Sequence, residues 1–261
     1  MDLTGTTTVI AELKDHVLTI TLDRPDKLNS FTDTMRAEFR ELWHYASETD
    51  DVHVVVLRAN GERAFSTGVD VHEGTFLSDN VFSRRDPGVD LSPKQNNCWK
   101  PLVCAVHGMV AGGALYWLNE ADIIVASEDA QFFDPHVSYG LVCAVEPVGQ
   151  SYRLPLQEVL RIALLGNDER VSAPTALRIG LVSEVLPKER LWERAHELAA
   201  KIANKPPLAV QGTVRAIWES LDLPRREALN MALKSAQIGL TLPKPEAHLD
   251  AMKQTRTFEV R

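Results

Sequence analysis

The stretch KPLVCAVHGMVAGGALYWLNEADIIVASEDAQFFDPHVSYG, Lys100 to Gly140, decides how the rest of the chain reads. Leu102 to Val106 is an apolar run with the length of a buried strand, and His107-Gly108 breaks it. Gly112 and Gly113 then lead into Ala114, Leu115, Tyr116, Trp117 and Leu118, a helix whose first turn presents bare backbone. Unpaired N–H groups at a helix start, with the macrodipole behind them, suit an anion or a developing oxyanion. A Gly-Gly pair at such a joint also lets a helix pack closely on a strand, so alone it leaves both readings open. Ile123 to Ala126 reads as the next buried strand.

Working outward, VVVLRANGERAFSTGVDVHE, Val54 to Glu73, runs from an apolar strand through Asn60-Gly61 into the tight segment Ser66-Thr67-Gly68-Val69-Asp70. The two stretches, in this order and this far apart, resemble the enoyl-CoA hydratase/isomerase (crotonase) superfamily. ITLDRPDKLNSF (Ile20 to Phe31) resembles its strand-turn-helix entry, and Leu249 to Arg261 its C-terminal helix and tail. The resemblance implies an α/β fold, a crotonase-like spiral of repeated ββα units with a C-terminal helical trimerisation region. It implies an acyl-CoA substrate whose thioester oxygen is held by two backbone N–H groups, which fall by position on Val69 and Gly113. It also implies a homo-trimer or homo-hexamer, with coenzyme A present as part of the substrate and no permanently bound cofactor or metal.

Composition sets bounds. With 261 residues, 44% of them apolar, the chain can bury a large core. No apolar run approaches the ~20 residues of a membrane span, and Met1 to Glu12 has no secretory-signal pattern, so the expected location is cytoplasmic. Cys98, Cys104 and Cys143 have neither metal-like spacing nor an even count for disulfides. A net charge of −8 speaks against nucleic acid and anionic membranes as partners, while CoA needs only a local basic rim. No G-x-S-x-G elbow supports a serine hydrolase, and no G-x-G-x-x-G follows a strand.

In chain order, Val9 to Leu13 and Val17 to Leu22 read as a hairpin, with Leu18, Ile20 and Leu22 inward and Thr19 and Thr21 outward. Ser30 and Asp33 suggest a capped start for a helix that buries Met35, Phe39, Leu42, Trp43 and Ala46, and Val52 to Leu57 reads as a strand. Glu73 to Trp99 has no apolar period; the resemblance sets this region beside the acyl pocket, with Phe76, Phe82 and Trp99 as lining candidates. Later helices are expected with Leu156, Val159, Leu160, Ala163 and Leu164 facing inward, from Ser172-Ala173-Pro174 to Gly180, and from Lys188 onward. Strands and helices alternate up to about residue 200 and only helices follow, which suggests a core at 1–200 and a helical oligomerisation region at 201–261.

The sequence departs from the family where its hydratases carry two glutamates. Adding water to a double bond needs one group to activate water and another to protonate carbon. Alignment by position puts Tyr116 and His136 at those places. A phenol titrating near ~10 is a poor base at neutral pH, whereas an imidazole near ~6.5 is a good one. His136 is therefore the candidate acid or base, with Asp134 as its orienter or simply part of a turn. Glu146 lies in a loop where isomerases and hydrolases of the family carry an acid. Tyr116 either hydrogen-bonds the acyl group or fills space, and Glu120 falls a turn beyond the pocket. For the CoA moiety the resemblance suggests Arg24, Lys27, Leu28, Thr67, Asp70 and Arg256, with Asp70 also able to brace the oxyanion loop. Isomerisation, hydrolysis and a nonstandard hydration stay open, as does acyl-CoA binding with little turnover.

Overall fold

The computed structural model describes residues 3–73, 79–241 and 259–261; Phe76, Arg256 and most of the C-terminal segment from Leu249 lie outside them. Strands β1 (Val9–Lys14) and β2 (Val17–Leu22) pair antiparallel around Asp15 and His16, both at positive φ. Helix α1 (Asp33–Glu48) buries the five expected side chains. Its cap is Thr32, whose hydroxyl accepts the Met35 N–H at 3.3 Å, rather than Ser30. Ser30 is drawn away instead, donating to the Lys27 carbonyl and to Asp70 Oδ2.

Next comes the repeat. Strands β3 (Val54–Ala59) and β4 (Ala64–Ser66) are followed by β5 (Leu102–Val106), β6 (Met109–Ala111) and α2 (Leu115–Glu120), which begins behind a 3-10 turn at Gly112–Ala114. Then come β7 (Ile123–Ser127), β8 (Gln131–Phe133) and a 3-10 turn at His136–Tyr139. In each unit the first strand joins a large sheet and the second joins a small one. The chain continues through α3 (Val145–Gln150), α4 (Leu156–Leu165), β9 (Val171–Ser172), α5 (Ala173–Ile179) and β10 (Glu184–Leu186). The large sheet has the order β1-β2-β3-β5-β7-β10 and the small one β4-β6-β8-β9. Because β4, β6 and β8 are parallel neighbours, the segments that leave their C-terminal ends, carrying Val69, Gly113 and His136, emerge at one edge.

Helix α6 (Lys188–Ala203) lies on the large sheet through Leu191, Ala195, Ala199 and Ala203, which explains why all six residues of β2 are buried. The threonines expected outward are covered: Thr19 Oγ1 meets His196 Nε2 at 3.0 Å, and Thr21 Oγ1 accepts from Arg58 Nε at 3.0 Å. Helix α4 also turns differently from expectation. Val159, Ile162 and Ala163 are buried, whereas Leu156, Leu160 and Leu164 face outward, because α4 is apolar on more than one side. Helices α7 (Pro207–Ser220) and α8 (Arg225–Thr241) pack on each other, and Trp218 Nε1 ties α7 to the core by donating to Asp122 Oδ1 at 2.6 Å. No described helix is long and apolar enough to cross a membrane.

Candidate active site

Two loops meet at the edge where β4 and β6 end. Phe31 bridges to Val69: its N–H donates to the Gly68 carbonyl at 2.8 Å, and its carbonyl accepts the Asp70 N–H at 2.9 Å. That pattern leaves the Val69 N–H pointing away from the bridge. Gly113 sits in the turn that opens α2, where an N–H has no intrahelical acceptor. Among the described residues, neither N–H has a hydrogen-bond partner. Close approach explains the glycines here. Gly68 holds φ +87°, and a Cβ on it would stand 2.7 Å from Gly113 N; one on Gly113 would stand 2.5 Å from Phe31 Cε1.

Asp70 braces this loop. Its carboxylate, 4% exposed, accepts the N–H groups of His72 at 3.0 Å and Glu73 at 3.2 Å and a 3.1 Å bond from Arg24 Nη2. Burial pushes the Asp70 carboxyl up, but these donors outweigh it and hold the group below its ordinary range. Arg24 is committed inward to Ser30 O, Asp70 and Glu73. Lys27, Leu28, Thr67 and Asp70 line a cleft of about 710 Å³ together with Val69, Gly113 and His136, and Lys27, Arg63 and Arg170 give it basic groups.

His136 leaves the end of β8. Its Nδ1 is 2.5 Å from Asp134 Oδ1, which also accepts the His136 backbone N–H at 3.1 Å. Asp134 is 1% exposed, and its Oδ2 has no hydrogen-bond partner among the described residues. The Asp134 hydrogen bond raises the His136 pKa, and the charges of Asp134 and Glu146 add to it against the opposing effect of burial. On the other side of the ring, Nε2 stands 3.8 Å from Glu146 Oε1. Glu146 opens α3, is 6% exposed, and is pushed toward its neutral form chiefly by burial. The chain places His136, Asp134 and Glu146 in one cluster. Cys143 borders it: the ligand atoms of Asp134, His136 and Cys143 lie within 4.8 Å of one another. Burial beside Asp134 pushes the Cys143 thiol up, away from a reactive thiolate.

Tyr116 faces a different partner. Its hydroxyl donates to Asp86 Oδ1 at 2.7 Å, and its ring lies against Gly88, where a Cβ would stand 2.0 Å from Tyr116 Cε1. Burial, Glu146 and Asp86 all raise the Tyr116 pKa, so the phenol stays protonated. Asp86 and Asn119, whose side chain donates to the Glu146 carbonyl at 2.9 Å, were not legible as site residues. Asp86-Pro87-Gly88 has the composition of a turn and nothing more, and Asn119 carries no signal at all. Glu120 accepts the backbone N–H groups of Lys94 and Gln95. Phe82, expected beside the acyl group, is 96% exposed; its short 3-10 turn, Val81–Ser83, has no buried residue to hold it inward.

A family profile described as enoyl-CoA hydratase/isomerase matches residues 12–238. The chain belongs to the enoyl-CoA hydratase/isomerase family. It is 31% identical over 227 residues to the (E)-benzylidenesuccinyl-CoA hydratase of Thauera aromatica, covering 83% of this chain and 84% of that protein. It is 33% identical over 206 residues to the (7aS)-7a-methyl-1,5-dioxo-2,3,5,6,7,7a-hexahydro-1H-indene-carboxyl-CoA hydrolase of Rhodococcus jostii, with 78% and 77% covered. The crystal structure of an enoyl-CoA hydratase/isomerase from Mycobacterium paratuberculosis superposes with a TM-score of 0.87 at 37% identity, covering 98% of this chain and 100% of that one. The fold is thus the crotonase fold, and the protein is an acyl-CoA enzyme of this family.

Proposed function

We propose that this family member hydrolyses a CoA thioester, with the N–H groups of Val69 and Gly113 as the oxyanion hole and His136 as general base. The observation that carries this reading is His136 itself, held at Nδ1 by a buried carboxylate with Nε2 turned toward the cluster around Glu146. Asp134 fixes the tautomer that leaves Nε2 free to accept a proton, and it stabilises the imidazolium that forms. Water loses its proton to His136 and adds to the thioester carbon; charge on the oxygen is met by the two N–H groups. The C–S bond then breaks, and the imidazolium returns its proton to the departing thiolate.

The two-glutamate hydration of the family fits less well, because the first position is a protonated phenol engaged with Asp86 and a single proton-handling cluster stands on one side. A second reading, double-bond isomerisation, draws on Glu146 beside His136: a neutral carboxyl and an imidazole together can move one proton between carbons. A relative named as a CoA hydrolase is in keeping with the first reading, and others are named hydratases and an isomerase. A nonstandard hydration by the same cluster, or acyl-CoA binding with little turnover, would appear in the same experiment. A panel of acyl-CoAs followed by mass spectrometry should yield free acid and CoA, lost in His136→Ala; an isomerised or hydrated thioester would replace this reading.

The core at 1–200 and the helices beyond it fit an oligomer that the single chain leaves uncovered. Leu229, Leu233 and Ile238 on α8, and Leu156, Leu160 and Leu164 on α4, are exposed apolar side chains of the kind that association covers. Light scattering should give the mass of three or six chains of 29.0 kDa; a monomer at micromolar concentration would contradict it.

A further inference from the structure

Beyond the cleft, a second cavity of about 390 Å³ runs beside α2 and has mostly apolar walls. We infer that this cavity receives the acyl group and that the acyl group is a rigid ring system of one or two rings, aromatic or alicyclic. The inference rests on the reading above, in which Val69 and Gly113 hold the thioester oxygen.

The placement follows from the helix. Gly113 borders the cleft; Tyr116, three residues or about 4.5 Å further on, borders the cavity, and Asn119 and Glu120 border it about a turn later. A thioester pinned at Gly113 can therefore leave CoA on the side of Lys27 and Arg170 and send acyl carbon along α2. The shape of the acyl group follows from the walls. Trp99, Tyr116, Tyr152 and Trp218 supply four aromatic rings. Two of them are fixed by other contacts, Trp218 and Tyr116, and Trp99 has a cation beside it. Trp218 donates to Asp122 and has the Arg153 guanidinium 5.4 Å from its ring, Trp99 lies 5.5 Å from Arg215, and Tyr116 is held between Gly88 and Asp86. Rings already immobilised lose little entropy when a flat ligand stacks on them, whereas a flexible chain gives up its rotors on confinement. Since a cavity of about 150 Å³ suffices for benzene, this one holds one ring or two fused rings.

Calorimetric binding of CoA, butyryl-CoA, octanoyl-CoA, phenylacetyl-CoA and cyclohexanecarbonyl-CoA tests the inference. The ring thioesters should bind at least about tenfold more tightly than butyryl- and octanoyl-CoA. Val148 is 59% exposed on the cavity wall, so Val148→Trp can fill the space without entering the core, and it should bring that ratio close to one. Tyr152→Ala, at a residue 57% exposed, should lower the ratio in the same direction and serves if the first variant fails to fold. Octanoyl-CoA binding as tightly as the ring thioesters, or a ratio unmoved in a folded variant, would overturn the ring assignment while leaving the thioester site standing. Failure of every CoA ester to bind would overturn the site reading and this inference with it.

Discussion

Asp134→Asn should separate orientation of His136 from mere packing. The carboxylate lies 2.5 Å from Nδ1, is 1% exposed, and supplies the largest contribution to the raised His136 pKa. Asparagine keeps the volume but can donate its amide to Nδ1, which would put the ring proton on Nε2 and remove the base from the site. General-base assistance contributes typically about 10²–10⁴ in rate, so the plateau of kcat/KM for CoA release should fall by that order. The acid limb of the profile should move as well. In the wild type, activity falls as pH drops through the raised His136 pKa, because only the neutral ring accepts a proton. Without the carboxylate, burial opposes protonation with only Glu146 against it, so the limb should shift to lower pH. Release of the CoA thiol, followed with a chromogenic disulfide across pH, reads both effects. A folded variant with plateau and limb both unchanged would show that Asp134 does not act through His136.

Stability should follow the same pair. Burial raises Asp134, but the His136 hydrogen bonds outweigh it and hold its carboxyl below the usual range; that contribution is present above about pH 4 and lost as pH falls through the folded value. The raised His136 contributes fully below about pH 6.5 and loses its contribution as pH rises through the folded value. Urea midpoints for wild type minus His136→Gln should therefore differ most between about pH 4 and 6.5, and a difference that grows toward pH 9 would contradict the sign. Gly68→Ala puts a Cβ 2.7 Å from Gly113 N at φ +87°, and should cost about 1–3 kcal/mol in urea unfolding along with most activity; an unchanged midpoint would remove the close approach from the account. Tyr116→Phe deletes the bond to Asp86 and should cost about 0.5–1.5 kcal/mol with the acid limb unmoved, whereas a hundredfold loss of rate in a folded protein would put the phenol in the chemistry.

Local signals carried much of the fold. The apolar runs of β5 and β7, the glycine pair before α2 and the Ser172 cap of α5 each depend on neighbours in sequence, and each forms where expected. What failed depends on distant partners. Thr19 is buried because His196 arrives on α6, and α4 has apolar side chains on more faces than one chain can cover. At the site, Gly68 and Gly113 point in the sequence to the two loops that the structure brings into close approach, since backbone geometry is written in glycine. Asp86 escaped because a carboxylate in a turn has no sequence signal for the tyrosine it meets across the fold. Glu146 stands as a candidate in the sequence, but its placement does not: the packing of α3 sets it 3.8 Å from His136.

Thioester hydrolysis is read most directly from turnover of a responsive acyl-CoA in heavy-oxygen water, with products followed by mass spectrometry. The expected products are free acid carrying one heavy oxygen and one CoA thiol per acid, both lost in His136→Ala. An intact thioester that has gained water or moved its double bond, or the same labelled acid from the His136→Ala protein, would contradict hydrolysis by His136.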